Sequence, residues 1–232
     1  MKRKKSKPLL KTALFLFSLA LFPFIMGLLM EMPVFFSGCD AITGQMIWAG
    51  AGFVFFGALF FVFGPPVRSY LLEHELSHLL VALLSGVRVK RIALGRDGGY
   101  VQTAEVNLPI ALAPYTVPLY TLFLIAVYKI LVLFFSSVFL EYGFYFLFGL
   151  TISFHILATA HYVAIYQPDL ARYGYFSSLV LIFICSLVIL FFVLALMFRN
   201  TSPIEYFRSS IERGLRIYEG IGSGFDLIGR SP

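Results

Sequence analysis

The stretch LLEHELSHLL, residues 71–80, places Glu73, His74, Glu75 and His78 close together in an otherwise apolar run. His74, Glu75 and His78 spell H-E-x-x-H. Two histidines four apart on a helix project from one face about one turn apart, so both imidazoles can reach a single zinc ion. The glutamate between them can reach the water on that ion and take its proton as general base. In a soluble helix the same pattern is often a solvated face. Here that reading would bury two imidazoles and two carboxylates in hydrocarbon, where an acid near the centre of a span costs roughly 2.5 kcal/mol or more. Groups held at that cost are normally functional. Glu73 points to another face and reads as a supporting or interfacial group.

A catalytic zinc generally has three protein ligands and a water, so a distant segment should supply one more Asp, Glu, His or Cys. Asp169 is the strongest candidate. Pro168 disfavours helix at Gln167 and breaks the span, letting a carboxylate point inward from irregular backbone. The alternative is an Asp that caps the next helix. His155 and His161 lie in the preceding apolar run, and each is either a ligand or a polar group bonded between helices. Glu141 sits at the end of a span and reads as interfacial. Residue types leave the third ligand open between Asp169 and His161, and they assign no role to His155.

The surrounding elements must be membrane helices. The 232 residues are 59% hydrophobic and 13% charged, with a mean hydropathy of +0.88, far from the roughly quarter-charged makeup of soluble domains. The net charge of +6 is gathered in MKRKKSK at the start and in the arginines of the last stretch. That is how flanking charge orients a membrane protein, so no nucleic-acid partner is expected and the N-terminus is expected in the cytosol. Cys39 and Cys185 have no metal-ligand spacing.

Apolar runs cover residues 12–30, 46–63, 67–85, 110–135, 142–166 and 176–198. The first reads as an uncleaved anchor. The residues after it, EMPVFFSGCDAITGQ, read as a loop. Pro65 and Pro66 precede the motif helix and Gly86 ends it. Residues 87–102 alternate around RDGGY as a short β-hairpin would. After Asn200, residues Ile204, Phe207, Ile211, Leu215 and Tyr218 recur three or four apart among Arg and Glu, the pattern of an amphipathic surface helix, before a Gly-rich end read as loose. The expected fold is an all-α polytopic membrane protein of about six hydrophobic segments, with a short β-hairpin after the zinc-motif helix. Its parts are 1–66, a basic segment and two spans; 67–198, the core that carries the motif; and 199–232, the amphipathic tail.

HELSHLLVALLSGVRVKRIAL, followed by GGYVQT, the proline-bearing LPIALAPYTVP and the Asp of QPDL, resembles the site-2 protease family of intramembrane zinc metallopeptidases, in particular its small bacterial members. The likeness runs over roughly residues 70–198. It implies a zinc metalloendopeptidase of a bacterial cell membrane that hydrolyses peptide bonds of membrane-spanning or membrane-adjacent substrates, with one zinc per chain. It also implies Asp169 as third ligand beside His74 and His78, Glu75 as the catalytic base, and a hairpin that helps hold the extended substrate. The chain departs from the family pattern in Asp169-Leu170 for Asp-Gly, Ala113-Pro114 for Gly-Pro, and Val117 in place of an amide side chain. Two other classes fit the same residues: a membrane zinc-binding scaffold without proteolysis, and a transporter using buried His and Asp, for which two matching halves are expected. The sequence contains no internal repeat.

Overall fold

The computed structural model describes residues 8–37, 44–95, 99–165, 167–197 and 202–228. In chain order the elements are α1 (Pro8–Ala20), α2 (Phe22–Ser37), α3 (Gly44–Phe63), α4 (Val67–Leu84), β1 (Val89–Leu94), β2 (Gly99–Thr103), α5 (Leu108–Thr116), α6 (Leu119–Leu131), α7 (Val138–Val163), α8 (Pro168–Tyr173), α9 (Tyr175–Met197) and α10 (Pro203–Ile228). The basic N-terminus, Cys39, Asp40 and the turn residues Arg96, Asp97 and Gly98 lie outside the described residues.

The chain is helical and carries helices long and apolar enough to cross a membrane, in keeping with its composition. α3, α7 and α9 are each long and apolar enough to cross a membrane. Two further spans are possible only if each of two bent pairs counts as one: α1 with α2, bent by 40°, and α5 with α6, bent by 71°. Among the described residues that makes three to five candidate spans, and about six is not confirmed. Two causes are visible. The run 110–135 is divided at Val117-Pro118, because a residue before proline avoids helical backbone. α4 is not among the long apolar helices; its 18 residues include Arg68, Glu73 and Glu75. Residues 31–37, expected as loop, instead continue α2 through Pro33. The Gly-rich end, expected to be loose, continues α10 to Ile228.

The chain divides into two compact units, one of residues 42–173 and one of residues 1–41 with 174–232. In the first unit α3 lies along α7 so closely that a methyl on Gly149 would overlap the carbonyl of Ala49, and one on Gly52 the carbonyl of Phe146. Small residues allow such an approach where lipid offers no hydrophobic drive to association. α4 ends in a Schellman turn: Gly86, at φ +67°, donates to the Leu83 carbonyl and Val87 to that of Ala82. Ala82, Val87 and Ile110 then pack together with Val89 and Val106, which fixes the start of the antiparallel hairpin β1–β2 against α4 and α5. α5 is capped by the Asn107 side chain, which accepts from the Ile110 N–H at 2.9 Å, and every residue from Ile110 to Thr116 is buried.

The second unit holds α1, α2, α9 and α10. Its core joins Ile25, Leu28 and Phe35 of α2 to Val180, Ile184 and Phe191 of α9 and Tyr206 of α10. α10 runs antiparallel to α2. The Tyr206 hydroxyl donates to the Leu28 carbonyl, and Arg213 pairs with the buried Glu31. The opposite sector of α10 exposes Ile204, Ile211, Leu215 and Tyr218, the amphipathic pattern of the sequence.

Candidate metal centre

His74 and His78 sit one turn apart on α4, and Asp169 comes from the first turn of α8. The Oδ2 of Asp169 lies 4.0 Å from the Nε2 of His74 and 3.7 Å from that of His78. Among the described residues these three form a group of donor atoms able to hold a metal ion. A tetrahedral ion with bonds of about 2.1 Å needs donors about 3.4 Å apart, so the two aspartate–histidine edges are within roughly half an ångström of that spacing, and all three donor atoms lie within 4.8 Å of one another. Two neutral imidazoles and one carboxylate also leave a divalent ion with a single uncompensated charge, which suits a half-buried site.

Each histidine is turned to present Nε2 by a bond at its other nitrogen. The Nδ1 of His78 donates to the Ile110 carbonyl at 2.7 Å. Since a carbonyl only accepts, Nδ1 carries a proton, and in the neutral ring Nε2 keeps its lone pair. The donor for that carbonyl within α5 would be residue 114, and Pro114 has no N–H. The Nδ1 of His74 lies 3.2 Å from the Tyr70 hydroxyl, and the Tyr70 ring stacks on Tyr162 of α7 at 3.8 Å. The His74 ring also meets Tyr115 edge-on. Partners on α5 and α7 therefore set the orientation of two side chains on α4.

Asp169 is brought to the histidines, but from a helical turn rather than from irregular backbone. Gln167 precedes that turn: its carbonyl accepts from the Ala171 N–H, and its side chain donates to the Tyr162 carbonyl at the end of α7. Below it, Leu170 is fully buried and the Tyr173 hydroxyl donates to the Val106 carbonyl at 2.9 Å. The Asp169 side chain remains 31% exposed against 12% for each histidine, so the group opens on the aspartate side. Glu75 lies beside the group, and its Oε2 accepts from the Val101 N–H of β2 at 2.7 Å.

His161 is not part of the group. Its ring lies against Phe60 and Tyr162. His155 is engaged elsewhere, with Nδ1 3.5 Å from the Oε2 of Glu73. Glu73 is 2% exposed, so it is not interfacial, and its Oε1 accepts from the Tyr120 N–H at 3.3 Å. That N–H belongs to the first turn of α6, just past the break at Pro118, where no helical carbonyl precedes it. Glu73 thus caps a broken helix in the interior. Glu141, in the first turn of α7, accepts from the side chain of Gln45 on α3 and stands apart from the metal group.

Sequence reasoning missed four contributors: Tyr70, the Ile110 carbonyl with Pro114, the Val101 N–H, and the Glu73–His155 pair. Pro114 had a visible signal, because a proline inside a helix always releases the carbonyl four residues earlier. Backbone donors leave no mark in side-chain types. No family model, no curated protein and no solved structure matches the chain.

Proposed function

We propose that the protein is an intramembrane zinc metalloprotease that hydrolyses peptide bonds of membrane-spanning or membrane-adjacent substrates. The observation that carries this reading is the meeting of His74, His78 and Asp169 from two separated segments, with Glu75 next to the first of them, in a chain of membrane helices. The likeness of its motifs to site-2 proteases points the same way, toward a bacterial cell membrane, and the basic start MKRKKSK favours a cytosolic N-terminus.

Zinc, when bound there, polarises the scissile carbonyl and acidifies the attacking water. His74 and His78 supply neutral Nε2 donors held by Tyr70 and Ile110, and Asp169 supplies charge from the open side. Glu75 accepts the proton of the attacking water and returns it to the leaving nitrogen. Purified protein in detergent, given a fluorogenic membrane-helix peptide, should cleave it, lose activity to a chelator and regain it with zinc. Glu75→Gln should keep the metal and lose cleavage; undiminished cleavage would remove the reading. Stoichiometric zinc without cleavage of any peptide, wild type and variant alike, would favour a zinc-binding scaffold.

A further inference from the structure

An amide carries one hydrogen, and that of Val101 is aimed at Glu75. Val101 lies opposite Ile92 in the hairpin, so this is a pair without inter-strand bonds. The alternation of an antiparallel ladder assigns those bonds to the flanking pairs, Ala93 with Tyr100 and Arg91 with Gln102. β2 therefore turns an outward-facing donor toward α4. The donor is firmly mounted. Ala104 donates to the Arg88 carbonyl at 2.8 Å across the base of the hairpin. Val87, Val89 and Val106 pack with Ala82 of α4 and with Ile110. Ile110 is also the residue whose carbonyl orients His78. Base and metal ligand are thus referred to one frame.

We infer that the Val101 N–H is a positioning group for Glu75: by holding one carboxylate oxygen, it keeps the other presented toward the water beside His74 and His78. The inference rests on the proteolytic reading for the role of Glu75, but not for the contact itself. A glutamate turns about three side-chain bonds, and a proton acceptor works only from a narrow range of positions. A hydrogen bond to a carboxylate is short and directional, and a backbone donor brings no side-chain freedom of its own. Substituting a side chain on β2 leaves this donor in place, whereas proline removes it. Strands accept proline where the N–H faces away from the ladder.

Two measurements on the full-length protein in nanodiscs test this. The first is residue-resolved amide exchange of the metal-free protein, which needs no activity. Glu75→Ala should speed exchange at Val101 about tenfold, the value of one such bond, and leave Tyr100 and Gln102 unchanged; equal exchange at Val101 would overturn the inference. The second is kinetic. Val101→Pro should lower kcat about tenfold or more with KM and zinc content unchanged. Should Val101→Pro loosen the hairpin, seen as faster exchange at Tyr100 and Gln102, replacing valine 101 by its α-hydroxy acid removes the same hydrogen without the ring. An active wild type with undiminished kcat in the ester variant removes the positioning role and leaves the protease reading intact. A wild type that binds zinc and cleaves nothing removes the protease reading, and the exchange result then decides the contact alone.

Discussion

His78 donates through Nδ1 to the carbonyl of Ile110, an oxygen that Pro114 leaves without its usual helical donor. A helix break and a metal ligand are joined through one oxygen atom. Restoring the missing donor should therefore disturb the metal site from a distance. In Pro114→Ala, the new N–H competes for the Ile110 carbonyl and loosens the His78 ring. Partners of metal-bound histidines are worth about 10–100-fold in affinity, and a carbonyl can accept twice, so about tenfold weaker zinc binding is expected. A competition titration against a chromophoric chelator measures it; unchanged affinity would show that the ring is held by packing alone.

The ligand set makes a discriminating prediction. His74→Ala, His78→Ala and Asp169→Ala should each abolish tight binding of about one zinc per chain, since three protein donors are the minimum for a site that also admits water. His161→Ala should retain the metal, because that ring rests on Phe60 and Tyr162. Elemental analysis of the purified variants checks both. Loss of zinc in His161→Ala together with retention in Asp169→Ala would reverse the assignment.

Glu73 should matter for stability before it matters for chemistry. Glu73→Ala leaves the Tyr120 N–H without its acceptor and opens a gap beside the His155 ring, and an unsatisfied buried group costs about 1–3 kcal/mol. A loss in that range is expected, and a smaller loss in Glu73→Gln, which keeps an acceptor. Unfolding in mixed micelles by SDS reads both values. Wild-type stability in Glu73→Ala would mean that water takes the place of the carboxylate.

Two glycines of α7 should behave in opposite ways. Gly149→Ala drives a methyl into the Ala49 carbonyl of α3 and should destabilise by about 1–3 kcal/mol. Gly143→Ala meets nothing within 4 Å and should be neutral or gain up to about 1 kcal/mol from helix propensity. Thermal unfolding of the two variants side by side makes the comparison.

Much of this was legible in the chain itself. The four-residue spacing of His74 and His78, Pro168 before Asp169, and the alternation after Gly86 are local signals, and each corresponds to a local structure. The breaks were less legible. Hydropathy averages over a window the length of a span, so residues 110–135 read as one run although Val117-Pro118 turns the helix by 71°. Pro33 signals a break, yet α2 continues to Ser37. Glu73 was placed on the right face, but its partners lie 47 and 82 positions further on, at Tyr120 and His155, and no periodicity within α4 encodes them.

Glu73 and His74 are consecutive, so their side chains leave α4 about 100° apart and about 1.5 Å apart along its axis. One is keyed to the cap of α6 and to α7, the other to Tyr115 of α5 and to the aspartate across the metal group. Two pins at different angles and heights lock a shaft against both turning and sliding. A one-residue slip of α4 would withdraw both at once, so the register of the motif helix is set by the bend between α5 and α6 as firmly as by its own ends.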